Sequence, residues 1–120
     1  MKELTNKEME LMEILWKNPE GLTMRELYDM LPEPRTHFNT VSTFIRRLEE
    51  GDFITHEALG GRLFRYRAAI TRWDYEKTQQ SNFINRFFRG SHFDFVRHLV
   101  QEEQISKEEL EELIGLIHNS

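Results

Sequence analysis

The chain contains no cysteine in 120 residues. That excludes a disulfide scaffold, a cysteine-based zinc site and a thiol nucleophile. Apolar runs are only a few residues long, too short to span a bilayer. The opening Met1-Lys2-Glu3-Leu4-Thr5-Asn6-Lys7-Glu8 lacks the apolar stretch of a signal peptide. A soluble cytoplasmic domain is therefore expected. Positive charge is also short, with 16 Lys and Arg against 21 Asp and Glu and a formal net charge of −5. As a bulk figure this counts against a nucleic acid and against direct binding to an anionic membrane, since both attract cations. Aromatic residues are not short. Nine Phe and two Trp are too many for a disordered chain.

Proline is scarce at three residues, so the breaks it makes are informative. Thr5-Asn6-Lys7-Glu8 fits a capping box, and Met9, Leu11, Met12, Leu15 and Trp16 follow at helical spacing to about Lys17. Asn18-Pro19-Glu20-Gly21 ends that helix. Thr23-Met24-Arg25-Glu26 is a second capping box, with Met24, Leu27, Tyr28 and Leu31 as its apolar side. Pro32-Glu33-Pro34 stops the second helix. A third starts at Thr36 or His37 and runs through Glu50, carrying Val41, Phe44, Ile45 and Leu48 on one stripe. Gly51 is expected in the left-handed position that closes it.

The period then changes. Residues 53–58 and 62–67 are rich in β-branched and aromatic side chains around Leu59-Gly60-Gly61, a hairpin with its turn. In its second strand Arg65 and Arg67 alternate with Phe64 and Tyr66, so one face is basic and the other apolar. Three helices and a hairpin in about 70 residues make a winged helix-turn-helix. From about Thr71 the pattern is helical again, with a fourth helix to Gly90, a short fifth around Phe93 to Val100, and a sixth opened by a Ser106-Lys107-Glu108-Glu109 capping box. The fold class expected is mainly α with a β wing. Residues 1–71 form the winged domain and 72–120 a helical dimerisation segment. Three short helices make a poor core alone. Their apolar residues Phe83, Phe87, Phe88, Val96, Leu99, Val100, Leu110, Leu113, Ile114 and Ile117 are expected to meet a second copy of the chain.

Dividing the chain locates its charge. Residues 1–34 and 73–120 each carry net −4, whereas 35–72 carry +3, with every basic side chain an Arg. Arg suits bidentate contact with phosphate or guanine. On the third helix, Asn39, Thr40, Thr43, Arg46 and Arg47 lie opposite the apolar stripe. Short polar residues at its N-terminal end allow close approach to base edges, and Asn can pair with adenine. With His37 beside that helix and Arg62 and Arg65 on the hairpin, these are the candidate DNA-binding residues. The alternative is a winged-helix protein-interaction module without DNA binding. An Arg-only cluster argues against it, because protein-docking surfaces centre on exposed aromatics.

Thr40-Val41-Ser42-Thr43-Phe44-Ile45-Arg46-Arg47-Leu48-Glu49-Glu50-Gly51 resembles the recognition-helix core of the penicillinase repressor (BlaI/MecI/CopY) family. Gly61-Arg62-x-Phe64-x-Tyr66 is similar to that family's wing. Leu4-Thr5 with Glu8 and Ile14-Leu15-Trp16 are similar to its first helix. Phe87-Phe88-x-Gly90-Ser91, Leu99-Val100 and the stretch from Ile105 to Leu113 resemble its C-terminal dimerisation segment. The resemblance covers nearly the whole chain. It implies a homodimeric transcriptional repressor with one winged domain on each half of a pseudo-palindromic operator in double-stranded DNA, released by an upstream signal. In the β-lactam branch that signal comes from a membrane sensor metalloprotease and leads to cleavage in the C-terminal segment. Here the family's Asn-Phe type of bond is replaced by His98-Leu99, and its Lys before the turn glycine by Glu50. The cysteines of the copper-sensing branch are absent.

The remaining side chains point to no chemistry. The five His (37, 56, 92, 98 and 118) show no metal-ligand spacing, and no cofactor or metal is expected. Glu108-Glu109-Leu110-Glu111-Glu112 suits a solvated helix start, where the macrodipole favours acid. Trp16 and Trp73 suit a core or an interface. No nucleophile constellation or phosphate-cradling glycine loop occurs, so an enzyme is not expected.

Overall fold

The computed structural model describes residues 1–119. Its elements are α1 (Asn6–Lys17), β1 (Leu22–Thr23), α2 (Met24–Asp29), α3 (Phe38–Glu50), β2 (Ile54–Gly60), β3 (Leu63–Ala68), α4 (Arg72–Phe88), α5 (His92–Gln101) and α6 (Lys107–His118). The class is mainly α with a small antiparallel sheet, strand order β1-β3-β2. Helix starts follow the capping chemistry. Thr5, Thr23 and Ser106 accept an N–H from Glu8, Glu26 and Glu109, and each Glu carboxylate takes the cap's own N–H in return. Ser91 caps α5 by accepting from Asp94 N–H.

Three features differ from the sequence expectation. First, Gly51 is not the left-handed residue after α3. It sits at φ −87°, and Asp52 takes φ 65°. Asp52 N–H donates to the Glu49 carbonyl at 3.0 Å and Phe53 N–H to the Leu48 carbonyl at 2.9 Å, which closes the helix end. Asp tolerates that region better than most residues. What glycine provides at 51 is room, since a Cβ there would lie a tight 3.2 Å from the buried Phe53 ring, which would have to shift slightly. Second, the hairpin turns at Gly61-Arg62, one residue later than Leu59-Gly60-Gly61. A register shift between Ala58 and Gly60 absorbs Leu59. Third, β1 adds a strand. Two residues carry no periodicity of their own, and only pairing of Leu22 and Thr23 with Tyr66 and Arg65 makes them one.

The chain forms two compact units, Met1–Gln79 and the residues from Gln80 onward. In the first, Leu11, Met12, Leu15, Leu22, Leu27, Val41, Ile45, Leu48, Phe53 and Ile54 share one core. The expected division at 71–72 coincides with the start of α4, whose early turns belong to this unit. The Tyr75 hydroxyl, buried, accepts the Leu4 N–H at 2.7 Å, and Gln79 donates to the Lys2 carbonyl at 3.1 Å. Trp16 packs on the core and donates its indole N–H to the Ile70 carbonyl at 2.9 Å. Trp73, expected in a core or an interface, is 72% exposed and outside the core. In the second unit Ile84 is fully buried, and Phe83, Phe88 and Phe95 pack with ring centroids 5.1–6.0 Å apart. Among the described residues no helix is long and apolar enough to cross a membrane.

Glu8 is a charge inside the first unit, 3% exposed, with both carboxylate oxygens 2.9 Å from Lys2 Nζ. Burial pushes its carboxyl up, but the Thr5 N–H and the Lys2 ammonium outweigh burial and hold it below the usual carboxylate range. Its folded value is thus below its unfolded value. The interaction stabilises the fold above the unfolded value and is lost as pH falls through the folded one. Glu8→Gln is expected to show a smaller drop in urea midpoint than the parent between about pH 6 and pH 3. The residual slope would come from Glu26 and Glu109, held low by the cap N–H groups of Thr23 and Ser106. Parallel midpoint curves for the two proteins would contradict this.

Candidate nucleic-acid interface

Val41, Ile45 and Leu48 are buried and Phe44 half-buried, which sets the rotation of α3 about its axis. Asn39, Thr40, Arg46 and Arg47 consequently stand exposed, and Thr43 is half-buried among them. The structure brings these five together on one face. His37 is the N-cap rather than a free side chain: its Nδ1 accepts the Asn39 N–H at 3.2 Å. Its other ring nitrogen then carries the proton. The Thr43 hydroxyl donates to the Asn39 carbonyl at 3.1 Å. Unlike the other five helices, α3 has no acidic residue in its first turn, so nothing there offsets the positive end of its dipole.

The hairpin divides its arginines. Arg65 and Arg67 lie 3.1 and 2.8 Å from one carboxylate oxygen of Glu57, and Arg67 Nε donates to the Glu20 carbonyl. His56, Phe64 and Tyr66 occupy the opposite face, turned toward Ser42, Ile45, Arg46 and Glu49 of α3. Strand alternation therefore puts Arg65 on the side of the hairpin away from α3. Arg62 sits in the turn, exposed. Of the seven Arg in 35–72, Arg35 pairs with Glu33 and Arg72 with Glu13 and Glu76. Arg46, Arg47 and Arg62 alone have no ion pair among the described residues. Glu49 accepts from or pairs with His56 Nδ1 at 2.6 Å, joining α3 to the wing. Burial, with the Glu49 charge beside it, pushes the Tyr66 phenol up.

In the second unit Phe83, Phe87, Val96, Val100, Leu113, Ile114 and Ile117 are exposed, and Phe88, Leu99 and Leu110 are half-buried. Phe93, at 72%, and Leu116, at 63%, are exposed beside them in sequence. His98-Leu99 lies within α5. Among the described residues no group of three or more His, Cys, Asp or Glu could hold a metal.

Comparison with known proteins bears on what this surface serves. The family described as Penicillinase repressor matches residues 4–119. The chain belongs to the penicillinase repressor family. It is 26% identical over 115 residues to the penicillinase repressor of Bacillus licheniformis, covering 96% of this chain and 89% of that one. It is 25% identical over 116 residues to the methicillin resistance regulatory protein MecI of Staphylococcus aureus (strain N315), covering 97% and 94%. A crystal structure of a MepR mutant from a multidrug resistant S. aureus clinical isolate aligns over 98% of this chain and 77% of that one. The identity is 22% and the TM-score 0.49, too loose a likeness to bear on the site. As a penicillinase repressor family member, the chain is a transcriptional repressor and not an enzyme.

Two residues that shape this repressor's surface escaped sequence reasoning. Glu57 pairs with both Arg65 and Arg67, offsetting one of their two charges, and its signal was hairpin register, which sets Glu57 opposite Arg65. Gly21 lets those arginines pass over the backbone. It holds φ 95°, and a Cβ there would lie 2.6 Å from Arg65 Cγ and 2.8 Å from Arg67 Cγ. Gly21→Ala is expected to destabilise by more than about 1 kcal/mol in urea unfolding, from positive φ and displaced arginine stems together. A change below about 0.3 kcal/mol would show the strand-crossing geometry to be wrong.

Proposed function

We propose that the chain represses transcription as a homodimer on a pseudo-palindromic operator, with α3 in the major groove and the β2–β3 wing against the backbone or minor groove. The observation that carries this is the pattern of unpaired arginines. In an acidic protein whose other middle-segment arginines are bound to carboxylates, Arg46, Arg47 and Arg62 have no ion pair among the described residues and stand on α3 and the wing turn. Holding Arg without a partner leaves its charge for a phosphate or guanine. Asn39, Thr40 and Thr43 supply base-edge contacts at the N-terminal half of α3, with His37 at the cap beside them. Arg65 serves the wing's own structure as well as any contact with the backbone.

Dimerisation is assigned to the second unit. A soluble monomer rarely leaves apolar side chains exposed at the density found on α4 to α6. An identical surface on a second copy would cover them symmetrically. Each copy reads one half-site, and joining them makes the second binding event intramolecular. An upstream signal that separates the copies releases the operator, and a membrane sensor metalloprotease is one source of such a signal. Since His98-Leu99 lies inside a helix, cutting there requires α5 to open first.

Selection of bound duplexes from a random pool should return a two-fold sequence with half-sites one or two helical turns apart. Arg46→Ala and Arg47→Ala should each weaken binding to it by about 1–3 kcal/mol. Leu113→Asp with Ile114→Asp should sediment as a monomer and protect half-sites only at much higher concentration. Retained operator affinity without Arg46 and Arg47, or a parent chain monomeric at micromolar concentration, would overturn the respective part.

A further inference from the structure

Arg25 was not among the residues expected to touch DNA; it is the single Arg of the N-terminal segment 1–34, which carries net −4. Its side chain is 73% exposed, and it makes one long, exposed ion pair, with Asp29 a turn further along α2 at 3.9 Å. Its guanidinium lies over the Phe38 ring, 5.3 Å from the centroid. Phe38 is the first residue of α3 and meets Tyr28 of α2 edge-on at 5.2 Å. Arg35 covers Tyr28 at 5.6 Å while donating to the Leu31 and Asp29 carbonyls at the end of α2. The two helices are thus joined by a pair of rings in edge contact with a guanidinium over each. At one end Arg35 is absorbed into the α2–α3 connection. At the other, Arg25 is held in place with its charge turned to solvent.

Arg25 also borders a groove of about 310 Å³ between α2, the start of α3 and the wing. Arg62, which has no ion pair among the described residues, lines the same groove. Met24, Phe38, Leu63 and Phe64 make most of its lining apolar, with Tyr66 beside them. Two arginines lining one groove with apolar side chains match a sugar-phosphate strand, with phosphate oxygens to the cations and deoxyribose to the apolar side chains. The groove adjoins the start of α3, which has no acidic residue in its first turn, and the carboxylate beside it is Asp29 of α2, 3.9 Å from Arg25.

We propose that Arg25 and Arg62 clamp the operator backbone at the N-terminal end of α3, with Phe38 as the platform that orients Arg25. The occupant is a deoxyribose-phosphate strand of the operator duplex, and the clamp sets the depth and angle at which α3 enters the groove. This rests on the operator-binding reading above.

The test is the salt dependence of binding to the selected operator by the full-length chain. Arg25→Ala should lower the slope of log affinity against log salt by about one and weaken binding on the order of tenfold. The loss should be equal for the operator and for its single-base variants, because a phosphate contact carries no sequence information. Arg25→Lys should keep the slope, since the charge remains. Arg25→Ala with Arg62→Ala should lower it by about two. Unfolding midpoints in urea, measured alongside, should match the parent because Arg25 is exposed. An unchanged slope in Arg25→Ala, or an affinity loss explained by a lower unfolding midpoint, would overturn the clamp. So would a groove that takes up an acidic peptide while the operator slope stays unchanged. Absence of duplex binding by the parent chain would instead defeat the operator reading itself.

Discussion

The burial of Val41, Ile45 and Leu48 is the constraint on which the remaining surface depends. Each of these side chains contributes about 1.5–3 kcal/mol by leaving water, so turning α3 to hide any other face would cost several kcal/mol. The helix is thereby held at one rotation, and its polar residues have only one direction to point. Phe53 extends the same constraint past the helix end. Its N–H closes α3 on the Leu48 carbonyl and its ring enters the core, so the chain leaves toward β2 on a set path. The wing's position relative to α3 follows, and the Glu49–His56 contact reinforces it.

Electrostatics then sorts the arginines. Seven of them lie in one stretch of sequence, yet four are paired, Arg65 and Arg67 sharing Glu57, and three have no ion pair among the described residues. A surface ion pair adds little to stability, so the pairing of Arg65 and Arg67 with Glu57 matters less for the fold than for what it withholds from a partner. The rest of the surface is acidic. It repels a polyanion approached in any orientation that does not present α3 and the wing turn, and this favours the productive encounter over unspecific ones. A net charge of −5 and a DNA-binding role are compatible for that reason.

Elements governed by local chemistry were legible in the sequence. Capping boxes at Thr5, Thr23 and Ser106, the stripe on α3 and the alternation in β3 all depend on residues a few positions apart, and each is present. What escaped depended on partners remote in sequence. The strand at Leu22–Thr23 exists because Tyr66 and Arg65 come alongside. The role of Gly51 needed the Phe53 ring in its final place. Arg65 was counted as available because its carboxylate partner sits across the hairpin, and the one-residue shift of the turn decided that register. Arg25 lies in a segment of net −4, and only folding carries it beside the one helix start without an acidic residue.

The sequence by itself determined the succession of helices and hairpin, the resemblance to the penicillinase repressor family, and the identity of the α3 face that looks outward. Periodicity and capping act within one or two turns, so they need no tertiary information. Only the tertiary structure decided which cations are free. Charge neutralisation depends on distances of about 3–4 Å between side chains far apart in the chain, and those distances exist only after the sheet register and the helix packing are set.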